Sequence, residues 1–173
     1  MEIAQIITYF AYLLPAVVVG IVSYYFFKGH TQNEEGRRRY LIQKEAQKNI
    51  LPLRLQAYER LTLFLERIDP KKLLIRVKPF SDDVSKYENL LIQNIDNEFE
   101  HNIAQQIYVS ADCWNTVAAA KNATMQLIRK TAMNEKVDTA DKLRETLLNR
   151  FMGEITPSQK ALAYVKQEVA ELF

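Results

Sequence analysis

Ile3 to Phe27 runs for 25 residues without a charged side chain. No other feature limits the fold so strongly. An apolar stretch of this length must leave water, and in lipid its backbone groups must bond to one another. As a helix it extends about 37 Å at ~1.5 Å per residue. The hydrocarbon core of a bilayer is about 30 Å, so the segment spans with some tilt. Tyr9, Phe10 and Tyr12 lie towards one end and Tyr24 to Phe27 at the other. Such rings favour the headgroup level. Pro15 is the weak point, because it removes a backbone donor.

A cleaved signal peptide begins with basic residues and ends in small ones. Here Glu2 is the only charged side chain before the run, and the run ends in Tyr-Tyr-Phe-Phe-Lys. A retained anchor is expected. Lys28, Arg37, Arg38 and Arg39 all follow the span. The positive-inside rule then puts the C-terminal side in the cytoplasm and the N-terminus outside. In a bacterium that means a single-pass protein of the inner membrane. A single cysteine, Cys113, excludes an internal disulfide framework and suits a reducing compartment.

The organisation expected is an anchor over 1–28, a polar juxtamembrane connector over 29–36 (GHTQNEEG) and a cytoplasmic helical domain over 37–173. Only four glycines argue against a turn-rich β fold. No sustained two-residue alternation appears, so the fold class is all-α: one transmembrane helix followed by a small helical bundle.

The first soluble helix is expected over Arg37 to Ile68, with Leu51, Leu55, Tyr58, Leu61, Leu65 and Ile68 on one face. Pro52 either kinks it or separates it from a second helix starting at Asn49. Asp69-Pro70 reads as a cap with a first-turn proline. Leu73 to Val77 is the one short run that suits an extended segment. Ser81-Asp82-Asp83 opens a helix whose buried face is Val84, Tyr87, Leu91, Ile95, Phe99, Ile103 and Ile107. Ser110 or Asp112 caps the next, with Trp114, Val117, Ala118, Met125, Ile128 and Ala132 inside. Asp138 and Asp141 start another, packing Leu143, Leu147 and Phe151 and ending at Gly153. Thr156-Pro157-Ser158-Gln159 combines a capping box with a first-turn proline. The last helix buries Leu162, Val165, Val169 and Leu172.

Charge is uneven. Lys28 to Lys78 holds 13 basic and 6 acidic residues, and Pro79 to Asp112 holds 1 and 7. Neighbouring helices of opposite sign explain this simply. Lys28 and Arg37 to Arg39 are the candidates for contact with anionic lipid headgroups. No reading motif for nucleic acid is present, and none is expected as a partner. Thr8, Tyr12, Ala16 and Gly20 fall at four-residue steps on one face of the span, a spacing that lets helices approach closely.

Chemistry-bearing patterns are few. Glu98 and His101 form a Glu-x-x-His pair, which in di-iron bundles occurs twice. The only other histidine is His30, so a site of that kind needs a dimer. Cys113 lies near a helix start, but no base accompanies it. No phosphate loop, dinucleotide fingerprint or zinc pair is present, and no cofactor is expected.

LPLRLQAYERLTLFLERIDP (Leu51 to Pro70) and EFEHNIAQQIYVS (Glu98 to Ser110) resemble an uncharacterised family of single-pass membrane proteins from Bacteroidota. The resemblance implies a bacterial inner-membrane protein and transfers no functional residues. The function expected is a membrane-anchored, non-enzymatic scaffold or accessory subunit, whose partners are lipid and another protein or a second copy. The alternatives are an anionic-lipid-binding surface module and a metal-binding or enzymatic bundle completed across a dimer.

Overall fold

A computed structural model describes residues 2–172; the side chains of residues 2, 4–11 and 31–33 lie outside the description. Among the described residues every regular element is a helix, and there is no strand. In chain order these are α1 (Glu2–Ile68), α2 (Pro70–Arg76), α3 (Val84–Glu100), a short 3₁₀ helix (Ile103–Ile107), α4 (Ala111–Ala132), α5 (Ala140–Phe151) and α6 (Pro157–Ala170). The chain divides into two compact units, Met1–Ile50 and Leu51–Phe173.

The first unit is the opening part of α1. Every described side chain from Tyr12 to Ile50 is exposed except half-buried Ser23. Among the described residues one helix is long and apolar enough to cross a membrane. Where the apolar run ends, four-residue contacts carry the helix on. The Lys28 ammonium lies 5.9 Å from the centre of the Tyr24 ring. His30 stacks on Phe26 with ring centres 6.3 Å apart.

Residues 29–36 are helical, where a connector between two elements was expected. Nothing in GHTQNEEG forces a break. It has no proline, and a glycine in a helix costs only about 1 kcal/mol. Glu34 with Arg38 and Glu35 with Arg39 have the acid-before-base spacing that favours a helix. α1 also continues through Pro15 and Pro52, so no second helix begins at Asn49. Each proline removes one hydrogen bond, and the helix formers on either side maintain the rest.

The second unit starts with the last turns of α1. The Asp69 side chain accepts from the Lys71 N–H at 3.0 Å, and Pro70 takes the first helical position of α2. Leu73 to Val77 is therefore not extended. Leu73, Leu74 and Arg76 are helical, both leucines are buried, and only Val77 leaves the helix. Pro79 disfavours helix at the residue before it, which limits α2 to two turns.

Asp83, rather than Ser81, caps α3, and its carboxylate accepts from the N–H groups of both Ser85 and Lys86. Asp83 directly precedes the first helical residue, so its carboxylate is in reach of the N–H groups two and three residues on. Ser110 caps α4, and the Thr139 hydroxyl caps α5 with Asp141 in its first turn. Gly153 has φ +89°, a left-handed turn conformation that strains any residue with a Cβ. Thr156 and Gln159 form the full capping box at α6.

The core joins Leu61, Phe64, Leu65 and Ile68 of α1 to Leu73 and Leu74 of α2 and to Tyr87, Leu91 and Ile95 of α3. Val117 and Ile128 of α4, Leu143 and Leu147 of α5, and Ala161 and Val165 of α6 complete it. α4 packs against α3, α5 and α6, while α2 packs on α5. Aromatic rings join three elements: Phe64 to Phe99 at 5.7 Å and Phe99 to Trp114 at 5.1 Å. The Lys121 ammonium sits 4.4 Å from the Phe99 ring centre and pairs with Asp96 at 2.6 Å.

Ile103 and Ile107 are exposed, contrary to the face expected for them. The α-helical phase ends at Glu100, where Asn102 Nδ2 donates to the Glu98 carbonyl at 2.7 Å. The 3₁₀ turn that follows advances by three residues per turn rather than 3.6, so the apolar stripe rotates off the core.

Candidate functional site

The polar groups of the second unit gather at two places. The first surrounds Glu168 of α6. Arg54 and Tyr58 are one turn apart on α1, and Arg54 donates to the Tyr58 hydroxyl at 3.1 Å and to the Tyr108 carbonyl at 3.1 Å. Tyr58 donates to Glu168 Oε1 at 2.6 Å. The Ser110 N–H reaches the same oxygen at 3.1 Å, and the Ser110 hydroxyl donates to Oε2 at 2.8 Å. One carboxylate thereby ties α1 and the start of α4 to α6.

Burial works against the charged form of Glu168, but the bonds from Tyr58, Ser110 and the Cys113 thiol outweigh it and hold the carboxyl below its ordinary value. Burial, with Glu168 beside it, pushes Tyr58 up to about 12. The hydroxyl is a fixed donor and the carboxylate a fixed acceptor at neutral pH. Neither is poised for proton transfer near pH 7.

The linkage has a definite sign. Folding favours ionised Glu168, so its stabilisation is complete above the unfolded carboxylate pKa of about 4.3. It is lost as the pH falls through the lower folded value. Glu168→Gln is expected to flatten the acid limb of a stability–pH curve followed by Trp114 fluorescence. Superimposable limbs for the two proteins would refute the linkage.

The second cluster is buried. Asp69 Oδ2 accepts from the Thr156 hydroxyl at 2.6 Å and from the Ser158 hydroxyl at 2.9 Å. Its other oxygen caps α2. Asp69, Thr156 and Ser158 are each no more than 4% exposed. The starts of α2 and α6 are locked together through one carboxylate.

The residues singled out by sequence fall elsewhere. Glu98 is held by Arg67, at 2.7 Å from Nε and 2.6 Å from Nη2, with Arg76 at 4.0 Å. His101 is exposed, just beyond the end of α3. Among the described residues no group of three or more metal-ligating side chains converges. Cys113 is fully buried, and burial pushes its thiol up to about 12, with Glu168 adding to the shift. A thiol so placed is a packed side chain, not an activated nucleophile.

Tyr12, Ala16 and Gly20 are exposed along the apolar stretch, and a Cβ added at Gly20 would meet nothing within 4 Å. Thr8 has its side chain outside the described residues. Lys28 and Arg37 to Arg39 are exposed.

Glu168, Arg54 and Asp69 were not read as a site. Glu168 carried a signal: Ala161, Val165, Glu168 and Leu172 follow a four–three–four spacing, which places an acid on an inward-facing stripe.

Two concavities flank the Glu168 cluster. A polar one of about 370 Å³ is lined by Arg54, Asp112, Tyr164, Glu168 and Glu171 among others. An apolar groove of about 630 Å³ runs between the last turns of α1 and α6, lined by Leu55, Tyr58, Thr62, Leu63, Val165 and Val169. Glu59 and Lys166 stand along it.

A family of unknown function (DUF7935) matches residues 4–172, so the chain belongs to that family. No curated protein and no solved structure matches the chain.

Proposed function

We propose that this member of the DUF7935 family is a membrane-anchored, non-enzymatic scaffold or accessory subunit of a bacterial inner-membrane assembly. The observation that carries the reading is the exposure of α1. A helical segment whose described apolar side chains all face outward from Tyr12 to Val22 needs a lipid or protein environment to cover them. The polar groups of the second unit support the same reading. Asp69, Glu168 and Glu98 are each engaged in bonds that hold helices together.

In this proposal Ile3 to Phe27 spans the bilayer, and the resemblance to Bacteroidota proteins supplies the bacterial setting. Lys28 and Arg37 to Arg39 keep the C-terminal side in the cytoplasm. The Ala16–Gly20 face is where another membrane helix would approach. Lys28 is the residue best placed for a lipid headgroup. Arg37 lies nine helical residues further on, about 14 Å at ~1.5 Å per residue. That exceeds the Debye length of about 8 Å, so the three arginines act on lipid chiefly where the helix tilts.

Co-purification of the tagged full chain from native membranes, with mass determination, tests the reading. A reproducible complex containing other membrane proteins is expected. A protease applied from the cytoplasmic side should digest residues beyond Lys28. Protection of that region would sink the orientation, and a chain recovered alone or with copies of itself would sink the accessory-subunit role.

A further inference from the structure

α6 is docked differently from the other helices of the second unit. Its fully buried side chains are Ser158, Ala161 and Val165, none larger than valine. Among the described residues every other α-helix buries at least one leucine or isoleucine, and α5, of similar length, buries Leu143, Leu147 and Phe151. Leu162 and Val169 of α6 are half-buried. The groove of about 630 Å³ on the α1 side leaves α6 incompletely packed there. Apolar stabilisation scales with the area removed from water, so it holds α6 less firmly than α5. Polar bonds act at the two ends of α6 instead. Asp69 holds its start through the Thr156 and Ser158 hydroxyls, and Glu168 ties its last turn to Tyr58 and Ser110. The turn before α6, residues 152–155, is exposed throughout and has Gly153 at φ +89°.

We propose that α6 is a strap that opens as one unit about the turn at Gly153 while the other helices stay folded, with Asp69 and Glu168 as its two catches. Segments with few buried apolar contacts open at lower free energy than the core. A hydrogen bond that breaks at the surface is exchanged for bonds to water, so each catch contributes less than its strength in isolation. The neighbouring helices keep their own caps when α6 leaves. Asp69 still caps α2 through its other oxygen, which accepts from the Lys71 N–H. The Ser110 hydroxyl still accepts from the Cys113 N–H at 3.0 Å and caps α4. Opening therefore breaks the bonds to α6 without removing a cap from what remains. It also frees the Cys113 thiol from Glu168, so the start of α4 is covered in one state and uncovered in the other. The inference is independent of which assembly the chain serves.

The test is native-state hydrogen exchange of the full chain in mild detergent, read over low urea concentrations where exchange reports the opening equilibrium. The amides of residues 160–170 are expected to exchange together, about tenfold or more faster than those of α3 and α5. Their urea dependence should be weaker, because a local opening exposes less surface than global unfolding. Two variants separate the openings. Ile95→Val removes a methylene from the core at α3, which packs on α4 and α5. It is expected to speed exchange in α3 and α5 about fivefold and to leave α6 at its wild-type rate. Glu168→Gln weakens a catch that breaks in every opening, so exchange in α6 is expected to rise about tenfold. The proposal is overturned if α6 shares the rate and urea dependence of α5, or if Ile95→Val speeds α6 as much as α3. Rates that fall off gradually from one end of α6 would mean fraying and overturn it too. So would an α6 that keeps its wild-type rate in Glu168→Gln.

Discussion

Asp69→Ala is expected to destabilise the second unit by about 3 kcal/mol. The change removes the cap of α2, worth about 1 kcal/mol. It also leaves the Thr156 and Ser158 hydroxyls, both buried, without the acceptor they share, at about 1 kcal/mol or more each. Partial compensation comes from the 2.9 Å contact between those two hydroxyls, where one can donate to the other. Asp69→Asn separates the contributions. Its amide oxygen can still cap α2, while its NH₂ must find acceptors among the hydroxyls, so a smaller loss of about 1–2 kcal/mol is expected. The measurement is the urea midpoint of the full chain in detergent, followed by Trp114, the only tryptophan. An Asp69→Asn variant as stable as the wild type would show that the cap alone matters and that the bond between helix starts contributes nothing.

Cys113 is expected to react with a thiol reagent roughly a thousandfold more slowly in the folded protein than a thiol at its ordinary pKa. A rise from 9.0 to about 12 lowers the thiolate fraction by that factor at pH 8. Full burial adds a further barrier, because the reagent must wait for an opening. The check is labelling by a maleimide in native buffer and in denaturant. Rapid labelling of the folded chain would mean that the start of α4 opens readily, and the Glu168 cluster above it with it. Glu168→Ala should raise the native labelling rate, since that carboxylate holds the Ser110 cap and Tyr58 together.

The helix starts were legible because each rests on a few adjacent residues. Asp69-Pro70, Ser110 and Thr156 to Gln159 carry their capping chemistry within one turn, and the structure uses all three. The buried faces of α3 and α5 were legible from periodicity, since an apolar residue every three or four positions has one way to meet a core. What failed depended on distant partners or on the phase of the backbone. Ile103 and Ile107 keep the α-helical spacing in sequence, but a side-chain bond from Asn102 shifts the backbone to a 3₁₀ turn before they arrive. Leu73 and Leu74 suit a strand by composition, but they lie within a helix already started by Asp69 and Pro70 and are buried on the α5 side of the core. The Glu168 cluster joins residues 58 and 110 positions apart in sequence, and no local pattern encodes such a meeting.

The helical state of residues 29–36 also has a thermal aspect. Gly29 and Gly36 both lie where an added Cβ would meet nothing within 4 Å, so neither glycine is required by a close neighbour. Alanine at each would favour the helix by up to about 1 kcal/mol. Between them, His30, Thr31 and Asn33 rank among the poorer helix formers. By propensity, then, this stretch of α1, between the apolar run and the three arginines, costs little to unwind. The same eight residues act as a spacer of set length while wound and as a fuse when heated.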